Sequence, residues 1–251
     1  MSFSLIWPTV GVPQKIAADQ IHVWAWLLDS SLGLTAREEA QLGLLDAKEL
    51  ERFHRFHFAC DRARFAIAHV NVRRILGAYL DREPERLLFR TNSFGKPELA
   101  TQAQTRPLHF NLSHSRSIAL LALSTETELG IDVEDLRPIQ PDVAESHFSP
   151  TELAALSSLE GEAWLNGFYH CWTRKEAILK AEGVGLNLPL DSFDVSLIPG
   201  DPAKILGVRP PVVFRRPWVL HDLATPSGTI AALAAGSLQT KVLCFSFGGR
   251  T

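Results

Sequence analysis

Two stretches of helical periodicity, each set among short apolar runs, limit what this chain can fold into. From Asp61 to Leu80 the positions Phe65, Ala68, Val72, Ile75 and Tyr79 recur at the spacing of one helix face. Gly77 and Pro84 are expected to weaken or end that helix. A second long helix is predicted over 162–182, ending near Gly183, because glycine tolerates the left-handed conformation at a helix end. Shorter helices are predicted over 35–56, opened by a Thr35–Glu38 capping box, and over 149–160, with Ser149 as cap. Strand-like runs lie at 21–28, 87–90, 108–112, Ile118–Leu123 and Gly130–Glu134. Further ones lie near 211–215, 218–223, 229–235 and 242–246. A turn containing Asn92, Gly95 and Pro97 separates 87–90 from 108–112. Each half thus offers a strand, two helices and more strands. That order predicts an α+β fold of two similar α/β halves, residues 1–125 and 126–251, related by a pseudo-twofold. No low-complexity linker parts them, so the cleft between the halves is the natural ligand site.

Several function classes are disfavoured. The longest apolar runs, such as Ile118–Leu123, fall well short of the roughly 20 residues that span a bilayer. Pro8 and Pro13 interrupt the N-terminal apolar run and no basic start precedes it, so no secretory signal is read there. Cys60, Cys171 and Cys244 are odd in number and widely spaced, which suggests neither a disulfide framework nor a zinc site. A cytoplasmic protein is expected. The net charge of −3 gives no global field for nucleic acid or an anionic membrane. Locally the picture differs. Between Lys48 and Arg74, seven Lys and Arg residues stand against three acids, a polarity suited to a small polyanionic ligand. A solvated helix face would look the same at any single arginine.

Four segments carry candidate chemistry. In Gly130-Ile131-Asp132-Val133-Glu134, strand alternation would put Asp132 and Glu134 on one face. Paired carboxylates need a cation or a shared proton, and oxygen ligands suit Mg²⁺; a solvated strand edge is the bland alternative. On the helix containing Trp172-Thr173-Arg174-Lys175-Glu176-Ala177-Ile178-Leu179-Lys180, residues Trp172, Glu176 and Lys180 share a stripe. Glu176 would complete a metal site, and Lys175 and Lys180 would neutralise phosphate oxygens, unless the helix merely carries a surface Glu–Lys pair. In Phe110-Asn111-Leu112-Ser113-His114-Ser115, neighbouring strand residues face opposite ways and no Gly-x-Ser-x-Gly elbow is present, so no hydrolase dyad is read. Ser113 and His114 would instead bind phosphate, or His114 would be structural. Lys96 in Phe94-Gly95-Lys96-Pro97 sits in a tight loop as a point charge.

Together and in this order, these segments resemble the phosphopantetheinyl transferase superfamily, in its large, single-chain Sfp-like class. The Gly-Ile-Asp-Val-Glu strand and the Trp-x-x-Lys-Glu-Ala-x-x-Lys helix carry the resemblance. Phe148-Ser149-Pro150-x-Glu152, Gly95-Lys96-Pro97, the run at 111–115 and Asp61-Arg62-x-Arg64-Phe65 support it. Beyond Leu190 it is faint. The resemblance implies coenzyme A as donor, Mg²⁺ as metal and an apo acyl or peptidyl carrier protein as acceptor, in a monomer. It implies Asp132, Glu134 and Glu176 at the metal, and Lys96 and Pro97 beside the adenine. Arg52, Arg64, Ser113 and His114 would lie on the phosphates, and Lys180 near the leaving group. Glu176 is the candidate base. Glu49 stands where some relatives are basic. Phe148, Leu153, Leu156 and Leu159 form either an apolar carrier-facing patch or core. A non-catalytic coenzyme A-binding module and a coenzyme A phosphohydrolase remain alternatives.

Overall fold

The computed structural model describes residues 7–9, 15–28, 33–100, 107–236 and 240–248. Much of the N-terminal stretch read above, residues 1–6 and 10–14, lies outside the described residues. Strand β1 (Gln20–Leu27) is followed by the short helices α1 (Ala36–Glu39) and α2 (Ala47–Arg55) and the long α3 (Ala59–Leu80). Strands β2 (Phe89–Thr91) and β3 (Pro97–Leu99) form a hairpin; β4 (His109–His114), β5 (Ile118–Ser124) and β6 (Leu129–Asp135) follow. Next come α4 (Pro141–His147), α5 (Pro150–Leu156) and the long α6 (Gly161–Glu182). Strands β7 (Phe193–Val195), β8 (Ile205–Val208), β9 (Val219–Leu223), β10 (Thr229–Ala235) and β11 (Lys241–Ser246) complete the chain. The fold is α+β.

Period-two alternation stacks the layers. The first sheet has the order β11-β1-β5-β4, and the second β6-β10-β9. Trp24, Trp26, Ala119, Leu121 and Leu123 face α3 through Ala68, Val72, Ile75 and Leu76. Their strand neighbours Ile21, Val23, Ala25, Ile118, Leu120 and Ala122 point the other way, onto Ile131, Val133, Ala231 and Leu233 of the second sheet. The outer face of that sheet, through Ala232 and Ala234, carries α6. The polypeptide therefore stacks as helix, sheet, sheet, helix. β11 returns to pair parallel with β1, so the C-terminal strand completes the first sheet.

Several expectations are corrected. The helix predicted over 35–56 is broken in two. A second capping box, Asp46 with Glu49 (2.9 and 3.0 Å), opens α2 afresh. Gly77 does not end α3; it is buried within it, and a Cβ there would meet the carbonyl oxygen of Arg82 at 2.7 Å. Pro97 opens β3 rather than lying in a turn, and β4 pairs with β5, not with β2. β5 and β6 are consecutive yet belong to different sheets. Residues 211–215 are not a strand: Pro210 and Pro211 offer no N–H to a ladder, and Val212 turns back to Arg209. The short elements α4, β7 and β8 carry too few residues for a periodic signal and were not expected. Phe148 and Leu156 are buried, with Leu153 and Leu159 packed on the same cluster, so these residues are core.

Candidate active site

The site is built where α6 lies against β6, and Gly130 permits the approach. A Cβ on Gly130 would fall 2.1 Å from the Ala177 carbonyl oxygen and 2.8 Å from the Lys180 carbonyl carbon. With no side chain in the way, the helix backbone rests on the strand. Ile131 and Val133 point into the core between the sheets, which leaves Asp132 and Glu134 on the α6 side. Lys180 then places Nζ 2.6 Å from Asp132 Oδ1.

β6 is an edge strand, and an edge leaves backbone N–H groups in need of partners. The inner face of β4 supplies them. Ile131 N donates to Asn111 Oδ1 (2.8 Å), and Val133 N donates to Ser113 Oγ (3.3 Å). Asp135, at the end of β6, accepts from the backbone N–H groups of Arg116 and Ser117 and from the Ser117 hydroxyl. Polar residues on an otherwise apolar face thus stitch the two sheets together beside the acids.

Asp132 is 4 % exposed, and its Oδ2 is buried without a hydrogen-bond partner. Burial, then the charge of Asp132, pushes the Glu134 carboxyl up to about 7. The same two causes, in the same order, raise Glu176. Asp132 thus lies within electrostatic reach of both glutamates. Among the described residues no three His, Cys, Asp or Glu side chains close into a ready-made metal cluster. The donors fit a hard cation that takes part of its shell from substrate phosphate: acids only, mutually repelling, with one buried oxygen free.

Cations gather alongside. His114, at the exposed end of β4, has its imidazole pulled down to about 4 by desolvation and then by His69, Lys180, Arg52 and Arg64. Arg64 is anchored by Asp61 (2.8 Å) and the Arg116 carbonyl (3.1 Å); Arg52 is exposed, 5.3 Å above the Phe65 ring. A cavity of about 300 Å³ opens next to Lys180 and Glu176 and is bordered by Phe94, Lys96 and Pro97. Lys96 Nζ donates to the Leu129 carbonyl (3.1 Å), and burial lowers its ammonium to about 8. Asn92 ties this hairpin to the end of α6 through the Gly183 carbonyl (2.9 Å).

Lys175 is not in the site. Its ammonium is fully buried, pairs with Glu152 (2.8 Å), and donates to the carbonyls of Leu190 and Phe193 (2.6 Å each). One residue along a helix turns the side chain about 100°, so Lys175 points into the core while Glu176 faces the site. Glu49 likewise has a structural role: it holds the buried Arg73 (2.6 Å) and His69 (3.0 Å). Sequence reasoning placed Asn111 in the 110–115 segment and Asn92 in a turn without giving either a site role, and did not name His147. His147 packs edge-on against Trp172 (5.5 Å), donates Nδ1–H to the Val143 carbonyl (2.9 Å) and lies within electrostatic reach of Glu176. The polar alternation of Asn111 and Ser113 was the available signal for the first of these.

Two glutamates within electrostatic reach of Asp132, cations within reach of His114 and an adjoining cavity define a site suited to a phosphate-bearing ligand. Comparison with known proteins makes this specific. The sequence model of the 4′-phosphopantetheinyl transferase superfamily matches residues 128–226, and that of the 4′-phosphopantetheinyl transferase N-terminal region matches 36–126. The 4′-phosphopantetheinyl transferase HetI of Nostoc sp. is 36% identical over 225 residues, covering 87% of this chain and 89% of the relative. The 4′-phosphopantetheinyl transferase Sfp of Bacillus subtilis is 33% identical over 159 residues, 63% of this chain and 69% of the relative. The L-aminoadipate-semialdehyde dehydrogenase-phosphopantetheinyl transferase of Mus musculus is 29% identical over 186 residues, 68% and 60% of the respective chains. The chain belongs to the 4′-phosphopantetheinyl transferase superfamily.

Proposed function

We propose that this protein transfers 4′-phosphopantetheine from coenzyme A to a serine hydroxyl of an apo acyl or peptidyl carrier protein, releasing 3′,5′-ADP, as a holo-acyl-carrier-protein synthase type of transferase. The observation that carries the reading is the meeting of Asp132 and Lys180 on adjoining elements, 2.6 Å apart, with Lys180 and Glu176 lining the cavity bordered by Lys96 and Pro97. Arg52, Arg64 and His114 bind the phosphates of the coenzyme, and Lys96 and Pro97 border its adenine. Lys180 offsets charge that builds on the departing diphosphate. Glu176, its carboxyl raised by burial and by Asp132, takes the proton of the attacking hydroxyl, directly or through a water. Asp132, Glu134 and Glu176 would hold Mg²⁺. When bound, the metal supplies Lewis-acid stabilisation of phosphoryl oxygens.

Two similar halves, 1–125 and 126–251, with the cleft between them as the site, belong to the same proposal. The stack of two sheets with α3 and α6 outside supports it, with β11 of the second half crossing over to complete the first sheet. A cytoplasmic location fits three free cysteines, and a monomer belongs to the same proposal.

The test is incubation of the purified protein with apo-carrier, coenzyme A and Mg²⁺, followed by intact mass measurement of the carrier. A gain of one phosphopantetheine, abolished by EDTA, is expected. Release of phosphopantetheine without any carrier would instead make the protein a phosphohydrolase. Coenzyme A binding with no transfer to any acyl or peptidyl carrier would leave a binding module.

A further inference from the structure

We infer that His69, backed by Glu49, is a further specificity-determining residue that reads the 3′-phosphate of the coenzyme. The inference rests on the transfer reading above and adds to it a pair of side chains which that reading does not use.

The place of His69 follows from two helices and a ring. Phe65 and His69 are four residues apart on α3 and so share a face, and their rings stack with centroids 4.0 Å apart. The Arg52 guanidinium of α2 stands 5.3 Å from the same Phe65 ring. Arg64 directly precedes Phe65 on α3. His69 thus sits among the cations assigned to phosphate. After burial, it is the charge of His69 that acts most on the His114 imidazole of β4, ahead of Lys180, Arg52 and Arg64. The reacting diphosphate belongs on β6 and α6, where Asp132 and Lys180 meet. The coenzyme's remaining phosphate is a monoester, with about −1.5 to −2 charge at neutral pH. It falls to the cations of α2 and α3.

Glu49 supplies the chemistry. Burial pushes its carboxyl up, but the bonds from His69 and the Asp46 amide, with the charges of Arg73 and His69, hold it below the ordinary value. It is therefore ionised, and a carboxylate only accepts hydrogen bonds. The 3.0 Å contact between Glu49 Oε1 and His69 Nδ1 then puts a proton on Nδ1. Glu49 Oε2 takes Arg73 Nε at 2.6 Å and the Asp46 N–H at 3.0 Å, so the carboxylate is anchored and its charge is met. With Nδ1 tied to Glu49, Nε2 is the nitrogen turned away from it. A phosphate at Nε2 would leave the ring between two anions, a setting in which an imidazole keeps both protons and donates from each nitrogen. Glu49 thus turns His69 into a donor that answers to the charge of its ligand. A ligand lacking the 3′-phosphate gives it nothing to hold.

The test compares calorimetric binding of coenzyme A and of 3′-dephospho-coenzyme A to the purified protein and its variants. Wild type is expected to prefer coenzyme A. His69→Gln can still donate to Glu49 but carries no charge. It should lose about 10–100-fold of that preference, the worth of a hydrogen bond to a charged group. Its affinity for 3′-dephospho-coenzyme A should match wild type. His69→Lys, a cation without any partner's aid, should keep most of the preference. Glu49→Gln should lose part of it. That variant also loosens the buried Arg73, and if it fails to fold, the two His69 variants decide the matter alone. An unchanged preference in His69→Gln would overturn the inference by leaving His69 outside the site. An equal loss for both ligands would overturn it by making His69 a prop for the fold. A wild-type protein that shows the preference but modifies no carrier would overturn the transfer reading and leave the inference standing.

Discussion

Gly130 and Ala177 stand so close that a Cβ on the glycine would lie 2.1 Å from the alanine's carbonyl oxygen. The glycine is required by proximity: its backbone does not adopt a positive φ, and it is the helix that needs the room. Gly130→Ala should push α6 off β6 and carry Glu176 and Lys180 away from Asp132. Overpacking of this kind costs about 1–3 kcal/mol, and backbone on one side leaves little to yield. Urea denaturation should show that loss, and kcat should fall further than the stability change explains. A variant with wild-type midpoint and rate would mean that the close packing is dispensable.

The pair Lys175–Glu152 makes a different prediction. Both side chains are almost wholly buried, at 0 % and 1 % exposure, and 2.8 Å apart. Glu152 also accepts from the backbone N–H of Ser149 and of Val195, so it joins α5, α6 and β7. Removing one partner of a buried pair leaves the other charge uncompensated, at about 3–5 kcal/mol. Glu152→Gln should therefore be severely destabilised in urea. Lys175→Met combined with Glu152→Leu should recover part of the loss and bind coenzyme A as wild type does. A specific drop in coenzyme A affinity in the folded double variant would restore Lys175 to the phosphate site.

These two cases show where the sequence was readable. Alternation placed Asp132 and Glu134 opposite Ile131 and Val133, and 3.6-residue periodicity put Glu176 and Lys180 on one helix stripe. Both follow from local geometry, which a single chain records. Lys175 is adjacent to Glu176 in a shared motif, and only tertiary packing reveals that it serves the core. The broken helix at 35–56 was legible, since Asp46 and Glu49 repeat the capping box already recognised at Thr35 and Glu38. The return of β11 to β1 was not, because strand pairing over so long a separation leaves no local signature.

Glu134 gives a pH prediction with a definite sign. Its carboxyl is raised from the ordinary 4.5 to about 7, by burial and then by Asp132, against the opposing charges of Arg137 and Lys180. The folded state therefore holds a proton there that the unfolded chain releases. Stability from this group is present below about 4.5 and is lost as pH rises through about 7. Thermal melts of the metal-free protein should show Glu134→Gln gaining on wild type as pH increases across that window. Equal pH dependence in the two proteins would remove the like-charge strain assigned to Glu134.

Asn92 is the last test, because it does two jobs that substitution can separate. Its Oδ1 accepts from the backbone N–H groups of Phe94 and Lys96, each at 2.9 Å, and shapes the turn. Its Nδ2 donates to the Gly183 carbonyl at 2.9 Å and ties the turn to the end of α6, beside the cavity that Gly183 and Pro97 line. Asn92→Ala removes both; Asn92→Asp keeps the acceptor and turns the donor into a carboxylate facing a carbonyl. If the tether holds the cavity closed, both variants should weaken coenzyme A binding by about tenfold, the value of one good hydrogen bond. The apparent kcat at saturating coenzyme A should stay near wild type, because Asp132, Glu176 and Lys180 are untouched. Calorimetry beside steady-state rates reads both quantities. An Asn92→Asp protein that binds like wild type would assign the effect to the turn alone and leave α6 and the hairpin to meet without this bond.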